Sequence, residues 1–179
     1  MKATSNLTLT LSLLACLPTL AAELPSAGVL TGPAMIVNGN TGPISQTKTE
    51  DKRTLAVIFQ GLQVDAHGDG KRSDATHLAL QTPLTADHPT RLLAELRGSI
   101  TGTAGVECRM SLQGPDGRTV LMARNAPQAY LKTYLPVAAG DKDLKLLVGL
   151  RCTGKAGSSP VFLAAIDTLD VTEAPKRKH

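Results

Sequence analysis

Apolar and polar residues alternate along most of this chain, and two nine-residue stretches show it best. In Ala104-Gly-Val-Glu-Cys-Arg-Met-Ser-Leu112, the residues Val106, Cys108, Met110 and Leu112 fall on one side, and Glu107, Arg109 and Ser111 on the other. In Leu144-Lys-Leu-Leu-Val-Gly-Leu-Arg-Cys152, the residues Leu144, Leu146, Val148, Leu150 and Cys152 alternate with Lys145, Leu147, Gly149 and Arg151. A period of two belongs to a strand with one buried face. Weaker forms of the same signal mark residues 34–37, 77–81, 91–100, 118–124, 129–137 and 161–171. Residues 55–64 are nearly continuous in apolar side chains and read as a strand buried on both faces. The polar stretches 47–53, 65–76 and 82–90 read as loops, and Asn38-Gly-Asn40, Gly114-Pro-Asp-Gly117, Asn125-Ala-Pro127 and Gly140-Asp-Lys-Asp143 as turns. No long amphipathic helix pattern interrupts them. The pattern predicts an all-β fold, a β-sandwich or jelly roll of about eight antiparallel strands.

Each of the two nine-residue strands carries one cysteine on its apolar side. The chain has three cysteines in all. The third, Cys16, lies in an N-terminal stretch that begins with Lys2, runs through an uncharged apolar segment from Leu7 to Leu20, and ends in Thr19-Leu-Ala-Ala22 before Glu23. That is the layout of a secretory signal peptide over residues 1–22, with cleavage after Ala22 or Ala21. The apolar run is too short for a membrane span. The rival reading is a lipoprotein box, Leu13-Leu-Ala-Cys16, with a lipid anchor at Cys16. If Cys16 leaves with the signal, Cys108 and Cys152 remain, and an even pair in an exported chain predicts one inter-strand disulfide. The domain plan is then a 23–54 segment with a short strand, a β-sandwich core over 55–171, and a basic, disordered tail over 172–179.

Charge narrows the partners. The formal net charge is +4, but Lys2 and the terminal Lys176, Arg177 and Lys178 account for the excess. The body is near neutral, and the chain has no Trp and only two Phe and two Tyr. A nucleic-acid groove wants a basic track with aromatic platforms, so nucleic acid is not an expected partner. The expected partner is a protein or a glycan, in the secreted, periplasmic or cell-envelope space.

Three clusters are candidates for chemistry. Asp65, His67, Asp69 and Asp74 alternate around Gly70, as oxygen ligands do in loops that wrap calcium. The position where such a loop needs a closing acid is Thr76, and a solvated loop is the competing reading. His77 and His88 flank the same region, so two of the three histidines with Asp65 or Asp69 form a candidate zinc set. Tyr130, Lys132 and Tyr134 share the face of a strand opposite Leu131 and Leu135, a ladder suited to a sugar or a partner, unless the rings pack under a loop. No Gly-x-Ser-x-Gly and no His-Glu-x-x-His motif is present, so no catalytic residue is assigned.

Lys52-Arg-Thr-Leu-Ala-Val-Ile-Phe59, the stretch from Glu95-Leu-Arg-Gly98 to Ala104-Gly-Val106, and residues 146–166 with their Ser158-Ser159 turn resemble a family of small secreted all-β proteins of uncharacterised function. The resemblance implies secretion and a β-sandwich, and it carries no catalytic residue. The reading that follows is an exported, non-enzymatic β-sandwich for binding or assembly. One alternative is a metal-dependent (calcium or zinc) enzyme or metal-binding protein on the Asp65–Asp74 loop. Another is a carbohydrate-binding module or a fimbria-like subunit, with the segment 23–44 as a donor strand for a neighbouring chain.

Overall fold

The computed structural model describes residues 28–39, 42–67 and 71–175. They form eleven strands and no helix: β1 (Met35–Gly39), β2 (Ile44–Lys48), β3 (Thr54–Phe59), β4 (Gln63–His67), β5 (Ser73–Pro83), β6 (Thr90–Gly102), β7 (Val106–Gly114), β8 (Gly117–Ala123), β9 (Ala126–Val137), β10 (Asp143–Gly154) and β11 (Val161–Glu173). One sheet runs β1-β5-β10-β7-β8. The other runs β2-β3-β11-β6-β9, with β4 also on β11. Every pairing is antiparallel. The expected β-sandwich is therefore the fold, with eleven strands in place of about eight.

The alternation sets the two inner faces. Leu78 and Leu80 of β5, Val106 to Leu112 of β7 at every second position, and Leu144 to Cys152 of β10 at every second position line the first sheet. Leu92, Ala94, Leu96 and Ile100 of β6, Leu131 and Leu135 of β9, and Phe162, Ala164 and Ile166 of β11 line the second. Burying each such large side chain is worth about 1.5–3 kcal/mol against leaving it in water. Cys108 and Cys152 face each other in register on β7 and β10, both fully buried, and are joined as a disulfide with Cα atoms 4.0 Å apart.

The run 55–64 is not buried on both faces, which corrects the sequence reading. It is two half-buried strands of opposite parity placed end to end. Leu55, Val57 and Phe59 point inward from β3, and Leu62, Val64 and Ala66 from the following segment and β4, while Ile58 is exposed. The parity changes at Gln60-Gly61, where Gly61 adopts a φ of +86°. The neighbour makes the same change. On β11 the inward set passes from Phe162, Ala164 and Ile166 to Leu169 and Val171 across a register shift between Ile166 and Thr168. Such an extra residue is a β-bulge. The Ile166 amide donates to the Leu62 carbonyl at 2.9 Å between the two irregularities. Paired breaks let both strands keep their apolar sides inward.

Other boundaries move as well. Residues 44–48 form an edge strand, and 65–67 and 73–76 extend β4 and β5 into the expected loop. The last strand continues through Thr172 and Glu173 before the tail. β1 pairs with β5, Leu30 bridges to Leu84, and Ile44 pairs with Phe59, all within one chain. The candidate donor strand over 28–39 and 44 is therefore already used in its own domain, and the donor role is not available to it in this fold. The signal segment 1–22, Cys16 with its alternative lipid anchor, and the four terminal residues 176–179 lie outside the described residues. No described helix is long and apolar enough to cross a membrane.

Candidate functional site

The outer face of the six-stranded sheet carries a built polar and aromatic surface. Its rows follow from register. Asp170 on β11, Glu95 on β6 and Lys132 on β9 lie side by side, and Arg97 on β6 lies opposite Tyr130 on β9. Tyr134 lies opposite Leu93, one step from Arg91. All of these point away from the core because their neighbours Leu92, Ala94, Leu96, Leu131 and Leu135 point into it.

Glu95 is the hub. The Tyr130 phenol donates to Glu95 Oε1 at 2.5 Å, Lys132 Nζ lies 3.1 Å from the same oxygen, and Arg97 Nη2 lies 3.4 Å from Oε2. Arg97 also reaches Asp170 Oδ2 at 3.7 Å. The Tyr130 hydrogen bond, then Lys132, hold the Glu95 carboxyl below the usual glutamate range, against the opposing effect of partial burial. The same bond raises the Tyr130 phenol, and Glu95 raises the Lys132 ammonium. The Arg91 guanidinium stacks 4.4 Å from the Tyr134 ring centre, and Arg97 lies 5.9 Å from that of Tyr130, within the range of cation–π attraction.

The two rings are thus fixed from beside, yet stay 45% and 44% exposed. Four residues along one strand place them about 13 Å apart. Tyr130, Lys132 and Tyr134 share one open face of β9, and the two rings do not pack under a loop. The sequence reading missed Glu95, Arg97, Arg91 and Asp170. The signal of Arg91, Glu95 and Arg97 was available in the outward positions of 91–97, but only the pairing of β6 with β9 and with β11 brings these residues and Asp170 to the same surface.

The Asp65–Asp74 cluster looks different. Asp65 pairs with His67 at 3.1 Å, while Asp74 is held by Lys71 at 2.9 Å and by the Asp65 amide at 3.3 Å. Burial alone would raise the Asp74 carboxyl, but Lys71 and the amides of Asp65 and Ala75 together hold it below the ordinary aspartate value. Asp69 lies outside the described residues. His77 stands on β5 and His88 in the loop before β6. Among the described residues no three His, Cys, Asp or Glu side chains converge as a metal site.

No protein-family model and no characterised protein sequence matches the chain. Solved structures are similar to it in outline. The carbohydrate-binding module TmCBM61 in complex with β-1,4-galactotriose is 12% identical, covers 84% of this chain and 97% of its own, and gives a TM-score of 0.39. The module CBM36 in complex with calcium and xylotriose is 9% identical, over 78% of this chain and 98% of its own, at 0.36. A Podospora anserina GH26-CBM35 β-(1,4)-mannanase is 9% identical over 83% of this chain, which spans only 29% of that enzyme, at 0.37. At these scores none of them assigns a ligand, or a role for any residue, to this chain.

Proposed function

We propose that the protein is an exported, non-catalytic binding module that takes a glycan chain across the face of Tyr130, Lys132 and Tyr134. The observation that carries this is the pair of half-exposed tyrosines locked by Glu95, Arg97 and Arg91. A phenol ring offers a flat apolar surface to the C–H face of a sugar ring at small entropy cost. The carboxylate, ammonium and guanidinium groups beside it supply donors and acceptors for hydroxyls. The face is preorganised, which lowers the ordering penalty of binding. It is also open to water on one side. Chemistry that depends on a dry, enclosed site has no place there, so binding suits it better than catalysis. Export rests on the signal-peptide pattern and the disulfide.

A glycan array with wild type, Tyr130→Ala and Tyr134→Ala tests the reading. Binding to a defined set of oligosaccharides, lost in both variants while the melting temperature is kept, supports it. Equal binding by all three proteins dismisses the face.

A further inference from the structure

The opposite sheet carries a second surface of different chemistry. Three cations project outward from the five-stranded sheet: Arg109 on β7, Arg118 on the edge strand β8 and Arg151 on β10, all exposed. Arg109 and Arg151 are direct cross-strand partners. Like charges placed directly opposite, with Cβ atoms about 5 Å apart, destabilise a sheet. None of the three makes an ion pair among the described residues. The one polar contact of Arg109 is from its Nε to the sulfur of Met122, at 3.1 Å, a weak acceptor.

Between them lies a recess of about 260 Å³. Its floor is Gly149 and the buried Ser111. A side chain at 149 would fill it: a Cβ there would sit 2.8 Å from Ser111 Oγ and 3.8 Å from Arg118 Nη2. His77, opposite Gly149 on β5, lines it together with Ala75 and Thr76. At Leu147 the recess adjoins a longer groove along β10, lined by Ala79, Gln81, Gln113 and Lys145 and, toward the start of the strand, by Asp141 and Asp143. The body of the chain is near neutral, so three arginines without an ion pair among the described residues, set around a glycine floor, are a local arrangement and not a general basic surface.

We infer that this recess binds the anionic group of an acidic polysaccharide, a uronate carboxylate or a sulfate ester, with neighbouring sugars laid along the β10 groove. Guanidinium groups match both anions with paired, charge-assisted hydrogen bonds. The bound anion neutralises the Arg109–Arg151 repulsion. The Gln81 and Gln113 amides of this extension suit sugar hydroxyls, and Lys145 stands between the recess and Asp143 along β10. It presents no aromatic ring, and stacking of nucleic-acid bases needs one. The inference does not rest on the tyrosine face, which lies on the other sheet.

The test is titration of the purified protein with heparin, polygalacturonate, uncharged dextran and a single-stranded DNA oligonucleotide at low salt. Lys155→Gln, an exposed cation outside both surfaces, serves as the control for the loss of one charge. Binding to heparin or polygalacturonate is expected, falling with added salt and unchanged in Lys155→Gln. Each of Arg109→Gln and Arg151→Gln should weaken it about tenfold, while melting at or above the wild-type temperature because the repulsion is gone. Equal affinity of both arginine variants and the wild type would overturn the site. So would dextran binding that both arginine variants weaken as much as they weaken heparin binding, DNA binding tighter than that of the acidic polymers, or a clear drop in the melting temperature of both variants.

Discussion

Tyr130 reaches Glu95 diagonally across the β6–β9 pair, 2.5 Å from hydroxyl to carboxylate, although the residue directly opposite Glu95 is Lys132. The carboxylate thereby holds a phenol and an ammonium at one oxygen. Glu95→Gln removes the charge from that contact. The Tyr130 phenol, raised by Glu95, should then titrate closer to the ordinary tyrosine value. Ultraviolet titration reads this well, because the chain has only two tyrosines and Tyr134→Phe isolates the signal.

The same contact has a pH sign. The Glu95 carboxyl is lowered in the fold, so its contribution is complete above the ordinary glutamate value of about 4.3 and is lost as pH falls through the lowered value. Melting curves of wild type and Glu95→Gln should run parallel above that value. Below it they should converge, because only the wild type loses a charged group.

The disulfide closes a separation of 44 residues, which in the chain-entropy account stabilises by about 4 kcal/mol. Cys108→Ser with Cys152→Ser should lower the melting temperature by roughly 10 °C. Without reductant, alkylation in denaturant should leave both wild-type cysteines unlabelled.

The change of parity within residues 55–66 gives a paired prediction. Leu62 is buried and Ile58 is exposed. Leu62→Ala should cost about 2–5 kcal/mol, and Ile58→Ala within about 0.5 kcal/mol. Denaturant unfolding measures both. The reverse order would mean that the parity switch is misplaced.

The change of parity also shows what the sequence could and could not tell. Alternation located β7, β10 and β9, and put Cys108 and Cys152 on inward faces, because the period of two survives whenever a strand has one wet face. It misled at 55–64, where two alternations of opposite phase read as one continuous apolar run. Only the matching bulge at Asp167 on β11 explains why Phe59 and Leu62 can both point inward. β2 was missed because an edge strand of Ser45, Gln46 and Thr47 has almost no buried face to pattern. Tyr130 and Tyr134 were legible as a pair. Glu95 was not, since nothing along the chain states that a residue 35 positions away lies beside Tyr130.

Gly98 is a more local test of sheet packing. A Cβ at that position would meet the Ala165 carbonyl oxygen at 2.1 Å, so Gly98→Ala must push β6 and β11 apart. It should destabilise more than Gly117→Ala, where nothing lies within 4 Å and only the φ of +130° is strained. Thermal melts of the two variants set the order.

The central claim is that the Tyr130–Tyr134 face binds glycan. Its most direct measurement is isothermal titration of an array-selected oligosaccharide into wild type and into the Tyr130→Ala, Tyr134→Ala double variant. The account predicts a saturable wild-type isotherm that disappears in the double variant, with the melting temperature of both proteins matched. The same isotherm in both proteins would contradict it.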